Sequence, residues 1–424
     1  MIMREMKDSG ISWVGEIPKE WTIMPLYCFY SERKNKNIFG AENNLLSLSY
    51  GKVIRKDINT SEGLLPSNYN GYNIVEAGDI IIRPTDLQND KRSLRTGLSK
   101  ERGIITSAYI ALKPKNGVNS RFYHYLLHTY DVLKVFYNMG NGVRQGLNFD
   151  EFAKLMVYSP SDTEQQKIAD FLDIECGKID GLKADIQAQI DTLEQYKRSI
   201  ITEAVAHGLN PSAPMKDSKV WYGQISSEWK ELKGKYVFKQ RNDRGNNVCL
   251  QLLSPTQKYG VIPQDKYEEL TGMNAVKLND STNYALLKTI HKGDYCISLR
   301  SFQGGFEYSE YEGVVSPAYQ VFYPIITIAD GYYKYLFKEK GFIDVMNSYT
   351  MSLRDGKNIA FDDFGDTFIP VPPLDEQQEI ADYLDNKCAE IEQIIADKKS
   401  QIETLDGYKK SLIYEYVTGK KEVV

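Results

Sequence analysis

The chain repeats itself. TEQQKIADFLD (Thr163 to Asp173) returns as DEQQEIADYLD (Asp375 to Asp385), 212 residues on, and the correspondence continues without a gap through Tyr196-Lys197 and Tyr408-Lys409 to Glu203 and Glu415. A second echo opens each half, WVGEIPKEW (Trp13 to Trp21) against WYGQISSEW (Trp221 to Trp229). Such a chain must fold as two equivalent modules, which gives a pseudo-two-fold molecule. Two halves of this kind suit a ligand that also has two ends.

From Thr163 onward apolar residues recur every seven positions at Leu172, Ile179, Ile186, Leu193 and Ile200, with Ile168, Leu182 and Tyr196 on the companion seam. The second copy supplies Leu384, Ile391, Leu405 and Leu412 with Ile380, Ile394 and Tyr408, interrupted by Lys387 and Lys398. The spacing predicts two helices of about 40 residues, each roughly 60 Å long and packed on the other. Thr163 and Asp375 are the expected N-caps, with Gln166 and Gln378 completing a capping box. The second globular segment begins where the first helix ends and finishes where the second begins. A domain about 40 Å across cannot bridge two parallel helices of that length, so the helices are expected to run antiparallel with a globular domain at each end.

The expected fold class is therefore α+β: two pseudo-symmetric α/β domains separated by two long helices packed as an antiparallel coiled coil. The boundaries fall at 1–160, 161–208, 209–372 and 373–424. Within the domains LLSLSYGKVI, GDIIIRP and GIITSAYIALKP read as short strands, and RFYHYLLHTYDVLKVFYNM reads as a helix with an aromatic face. KYGVI, KGDYCISLR and GVVSPAYQVFYP repeat the scheme, while the residues between these landmarks differ. A fixed scaffold holding two different readers fits that pattern.

The net charge of −5 conceals an uneven distribution. Residues 1–150 carry 20 Lys and Arg against 15 Asp and Glu, whereas 162–203 carry 5 against 10, so local patches matter more than the total. No apolar run approaches the ~18 residues that span a membrane. Five cysteines without CxxC spacing (28, 176, 249, 296, 388) point to reduced thiols and a cytoplasmic protein. Phosphate-loop, GxGxxG and HExxH motifs are absent from the sequence, as is the [DNS]PP[YFW] tetrapeptide of amino-methyltransferases. His124 and His128 share a helix face but lack further ligands nearby in sequence, so aromatic packing is the expected role and no metal site is expected.

Binding features are richer. KRSLRTGLSKERG puts Lys91, Arg92 and Arg95 in a Gly/Ser-containing stretch just after Arg83 and its strand. RKNK (33–36), and Lys235, Lys239, Arg241 and Arg244 in the second half, are similar, and Arg300 and Gln303 follow the second-half strand. Near the end of each domain lie VRQGLN, with Arg144, Gln145 and Asn148, and LRDGKN, with Arg354, Lys357 and Asn358. Lys and Arg grip phosphates, and Arg, Gln and Asn read base edges. The twelve candidate DNA contacts are thus Arg83, Lys91, Arg92, Arg95, Arg144, Gln145, Lys239, Arg241, Arg300, Gln303, Arg354 and Lys357.

With the WxGxIPxxW opening, the GDI…GVVSPAY-like order and the EQQxIAxxLD helix entry in place twice, the chain resembles the specificity subunit of type I restriction-modification systems. That resemblance implies two target-recognition domains reading the halves of an asymmetric bipartite DNA site, with the helices setting the spacer. It also implies partners: double-stranded DNA, two methyltransferase subunits docked on the helices, and restriction subunits beyond them. S-adenosylmethionine would belong to the methyltransferase subunits and ATP with Mg to the restriction subunits, leaving this chain non-catalytic and without a cofactor. ISSEW in place of IPxxW and TSAY in place of SPAY are its departures from the pattern. The competing reading is a coiled-coil adaptor with two recognition domains for ligands other than DNA.

Overall fold

The structure, a computed structural model, describes residues 4–59, 68–85, 87, 94–137, 139, 146–219, 223–245, 250–273, 284–298, 305–349 and 359–423. The first half runs β1 (Met6–Asp8), β2 (Glu16–Pro18), β3 (Thr22–Pro25), β4 (Tyr30–Glu32), β5 (Leu46–Ser49), β6 (Lys52–Arg55), β7 (Asn73–Val75), β8 (Ile80–Ile82), β9 (Thr96–Leu98), β10 (Gly103–Ile105), β11 (Ile110–Pro114), α1 (Ser120–Val132), α2 (Phe149–Phe152) and β12 (Met156–Ser159) before α3 (Asp162–His207). The second half runs β13 (Met215–Asp217), β14 (Gln224–Ser226), β15 (Lys230–Lys233), α4 (Gly234–Val237), β16 (Phe238–Arg241), β17 (Leu253–Thr256), β18 (Gly260–Pro263), α5 (Gln264–Thr271), β19 (Lys288–Ile290), β20 (Tyr295–Ile297), β21 (Phe306–Tyr308), β22 (Gly313–Val315), β23 (Gln320–Pro324), α6 (Asp330–Leu336), α7 (Lys340–Ser348), α8 (Phe361–Asp366) and β24 (Phe368–Val371) before α9 (Leu374–Val417).

Strand for strand, the halves pair alike. A four-stranded antiparallel sheet β4-β11-β8-β9 has its counterpart in β16-β23-β20-β21, and the pairs β1-β2, β3-β12, β5-β6 and β7-β10 recur as β13-β14, β15-β24, β17-β18 and β19-β22. Buried β-branched runs such as Ile80-Ile81-Ile82 make the central strands, as expected for strands covered on both faces. The glycine that opens GIITSAY and GVVSPAY has a steric reason. A Cβ on Gly103 would strike the carbonyl oxygen of Asn44, and one on Gly313 that of Gln251, where neighbouring chain crosses close by.

α1 begins at Asn119, whose side chain accepts from the Arg121 and Phe122 amides, and stops before Lys134, which adopts a left-handed conformation (φ 59°). The long helices start differently from expectation. The Ser161 hydroxyl accepts from the Glu164 amide (3.3 Å), so Ser161 rather than Thr163 serves as the cap. Gln166 and Gln378 do not close capping boxes but reach one turn on, to Asp170 and Asp382.

The chain divides into two compact units, one of residues 1–186 with 399–424 and the other of residues 187–398. Each division falls inside a long helix, so each unit holds one recognition domain and a segment of both helices. In the first unit Trp21, Phe122, Tyr123, Tyr158 and Phe152 pack against Ile168, Leu172 and Ile179 of α3 and Leu412, Ile413 and Val417 of α9. The second has an aromatic core, with Phe238, Tyr295, Phe306, Phe322, Phe337 and Phe364 clustered and Val205, Ile380 and Leu384 supplied by the helices. The helix segments are antiparallel in both. Lys409 bonds Asp180 (2.6 Å) and Lys183 bonds Asp406 in the first unit, and Lys197 bonds Glu392 in the second. Asp180 with Lys409 and Glu392 with Lys197 are the same pair in the duplicated numbering. The seam is narrower than the sequence suggests: Leu182, Tyr196 and Tyr408 are more than half exposed, and Ile394 is 44% exposed.

Candidate nucleic-acid interface

Two matched joints fix each recognition domain to the helices. Buried Trp21 donates its indole N–H to Glu164 (2.9 Å), and buried Trp229 donates to Glu376 (2.7 Å). Further along, the Tyr125 hydroxyl donates to Asp173 (2.8 Å) and Tyr335 to Asp385 (2.7 Å). Cys176 and Cys388 lie beside these tyrosines, and burial pushes both thiols up, Cys176 to about 11. They therefore stay protonated and unreactive as small apolar groups. Sequence reading missed these joints, although each Trp, Glu, Tyr and Asp stands at an equivalent place in the repeat.

Away from the joints, Leu147 in the first domain and Ile359 in the second, at the ends of the Arg- and Gly-containing stretches, meet strand ends of the central sheets. In the first unit the Leu147 amide donates to the Pro84 carbonyl (3.0 Å), beside Arg83 at the end of β8. Lys34, Ser107, Tyr109 and Asn148 meet there around a shallow cleft of about 250 Å³ that also includes Glu32 and Asp150. In the second unit Gln320, which opens β23, accepts from the Phe361 amide (2.7 Å) and donates to the Ile359 carbonyl (3.1 Å). The two domains thus anchor the equivalent residues Leu147 and Ile359 at the same edge of the central sheet but through different strands, β8 in the first and β23, the counterpart of β11, in the second. Chemically such a face offers backbone dipoles, amide side chains, tyrosines and mobile cations, the set that contacts groove edges and phosphates.

The expected contacts divide sharply. Arg83 is half-buried and Lys239 exposed on β16. Arg95 requires correction, because its side chain is wholly buried. It donates to the Tyr137 hydroxyl (3.1 Å) and to the Thr85 carbonyl, and lies over the Tyr137 ring. Tyr137 in turn donates to buried Asp131 (3.0 Å). With its donors turned inward, Arg95 holds the core together and has no surface to offer DNA. Arg241 is held by Asp294 through two bonds (2.7 and 3.1 Å) and stacks on Tyr323, as Arg33 is held by Asp79 in the first unit. Burial raises the Asp79 carboxyl even against that guanidinium. Arg33 and Arg241 are thus matched struts of the central sheets. Asn148 also changes role, since its side chain caps α2 by accepting from the Glu151 amide (2.9 Å). Lys91, Arg92, Arg144, Gln145, Arg300, Gln303, Arg354 and Lys357 lie outside the described residues.

A larger cleft of about 1610 Å³ opens in the first unit between α1, the β5-β6 turn and the helix pair. His124 and His128 face it with ring centroids 6.3 Å apart. Burial, followed by nearby positive charge, pushes them down to about 3 and about 4, so both rings are neutral at physiological pH. Among the described residues no group of three His, Cys, Asp or Glu side chains could hold a metal ion.

Comparison with known proteins agrees with this architecture. A protein described as the MjaX type I restriction enzyme specificity subunit of Methanocaldococcus jannaschii is 21% identical over 97% of this chain and 96% of its own length. A solved chain from work on complex assembly and conformational transition of the type I restriction-modification system covers 96% of this chain and 99% of its own, at 12% identity and a TM-score of 0.66. The HsdS subunit of Thermoanaerobacter tengcongensis matches at 12% identity and a TM-score of 0.47, covering 96% and 98%. The family model for the type I restriction modification DNA specificity domain fits residues 32–192 and again 225–404. This chain belongs to that family and carries its domain twice.

Proposed function

We propose that each recognition domain reads one half of an asymmetric, split DNA target, and that α3 and α9 set the unread spacer between the halves. One observation carries this reading: the two domains share strand order and joints, yet place different side chains at an equivalent strand start, Ile110 on β11 and Gln320 on β23. Two unlike readers on duplicated mounts suit two unlike half-sites.

In this reading the chain is a non-catalytic subunit working in the cytoplasm. Methyltransferase subunits supply S-adenosylmethionine, and restriction subunits supply ATP and Mg. The methyltransferase subunits dock on the exposed apolar residues of the helices. The register of the ion pairs puts Leu182 level with Tyr408 in the first unit and Tyr196 level with Ile394 in the second. These are equivalent positions in the repeat, as two copies of one partner require. The described cysteines are free, and no helix of the described residues is long and apolar enough to cross a membrane.

The test is the adenine methylome of cells co-expressing this chain with its methyltransferase. A new motif of two unequal half-sites around a fixed gap is the expected result. A stable complex that adds no methylation on any split motif would refute the reading.

A further inference from the structure

The first recognition domain presents an apolar tip that its core does not use. Ile38 and Phe39 are 59% and 94% exposed, and Phe39 adopts a left-handed backbone conformation (φ 65°). That region is costly for an aromatic residue and is normally left to glycine or asparagine. The loop is nevertheless held firmly. Asn37, fully buried, donates its side-chain amide to the Glu42 carbonyl (2.9 Å) and accepts from the Glu42 amide (2.9 Å), while its own amide donates to Tyr72 (2.9 Å). A strained aromatic at the tip of a clamped turn is a presented group, and strain of this kind collects where ligands are gripped.

Charge and position indicate what the tip meets. Lys34 and Lys36 flank it on one side: Lys34, its side chain 71% exposed, pairs with Glu32 (2.7 Å), Lys36 donates to the Gly71 carbonyl (2.9 Å), and on the other side Glu42 is engaged by Arg102 (3.0 Å). Behind the loop, Tyr72 packs edge-on to Tyr69 at 5.0 Å and neighbours Tyr109, which lines the cleft with Lys34 and Asn148. The tip therefore continues the face assigned above to DNA. The second domain does not repeat it: the corresponding stretch reads Gly245-Asn246-Asn247-Val248.

The geometry points to Ile38–Phe39 as a wedge that enters duplex DNA between neighbouring base pairs of the first half-site. Apolar side chains that partly unstack a step, with flanking cations on the phosphates, bend DNA and add sequence preference through the cost of deformation. This inference rests on the split-target reading and goes beyond it. It assigns deformation readout to one half-site only.

The experiment uses the complete methyltransferase complex and a duplex bearing its split target, with 2-aminopurine scanned through both half-sites. Wild type should brighten one step in the first half-site. Phe39→Ala should abolish that signal and weaken binding about tenfold to a hundredfold. The slope of affinity against salt should not change, because no phosphate contact is lost. Phe39→Trp should restore both signal and affinity. Phe39→Ala binding within twofold of wild type with no brightened step would overturn the wedge, as would failure of that variant to assemble with the methyltransferase, which would make Phe39 a protein contact. Indifference of wild type itself to the split target would overturn the parent reading and the wedge together.

Discussion

Replacing Phe39 with glycine should make the protein more stable while making it a poorer DNA binder. A non-glycine residue in the left-handed region costs about 1–2 kcal/mol, and Phe39 sits there at φ 65°. Its ring is 94% exposed, so truncation forfeits almost no burial. Glycine relieves the strain but returns about 0.5–1 kcal/mol through the greater freedom of the unfolded chain. The net gain is about 0.5–1 kcal/mol, or a rise of about 1–4 °C in the unfolding of a unit of roughly 200 residues. Phe39→Ala keeps most of the strain and is the control, so the Gly-minus-Ala difference measures it. Denaturant unfolding of the full chain, followed at the first unit's transition, reads the effect as a shift in midpoint at constant slope. A loss of stability in Phe39→Gly, or equal stabilities for Gly and Ala, would show that the ring packs or that the backbone is unstrained. The argument for a presented wedge would then fall.

Other expectations concern the frame. Trp229→Phe shrinks a buried indole to a phenyl ring and removes the hydrogen bond to Glu376; it should cost about 2–4 kcal/mol in the second unit and leave the first unit's transition in place. Lys338 bonds Glu307 at 2.6 Å, and burial raises that carboxyl from 4.5 to about 7. A raised carboxyl stabilises the fold below pH 4.5 and loses that contribution as pH climbs through 7, by about 3 kcal/mol. Lys338→Met removes the cation that favours the charged form, so stability measured from pH 5 to 8 should fall more steeply than in wild type. Tyr196→Ala and Tyr408→Ala, at exposed sites, should leave unfolding unchanged. Each should weaken methyltransferase assembly by about tenfold or more, measured by titration calorimetry.

The repeat made the architecture legible, because two copies of one pattern constrain each other. Helix direction followed from chain geometry, and the strands followed from β-branched runs bounded by Gly and Pro. Side-chain orientation did not follow. Arg95 reads as a loop cation among Lys91 and Arg92, yet it immediately precedes β9 and points into the core, where Tyr137 and Thr85 receive its donors. Leu182 and Tyr196 fit a heptad but turn to solvent, because periodicity fixes spacing along a helix and not which stripe the partner helix covers. Ser161 displaced Thr163 as a cap because both residue types accept an amide and only the backbone path decides between them. Phe39 escaped notice because one apolar residue in a basic loop reads as packing until its exposure is known.

The duplicated contacts show which bonds the frame needs. Trp to Glu, Tyr to Asp, Arg to Asp and Lys to acid recur in both units at equivalent positions. All join a domain to a helix, a helix to a helix, or the edge strand of a sheet to the turn before the strand two places away. Divergence lies elsewhere. Gly97 beside β8 corresponds to Glu307 beside β20, His128 on α1 to Lys338 after α6, and the Ile38–Phe39 tip to a pair of asparagines. The Glu307–Lys338 bond shows that such positions change in concert, since a buried carboxylate arriving alone would cost several kcal/mol without its lysine. A domain mounted on unchanging joints can vary its interior pairs and its presented loops without disturbing the helices that carry it. The joints are therefore the place where a substitution should damage both half-sites' spacing, and the strand-end loops the place where it should alter the reading of one.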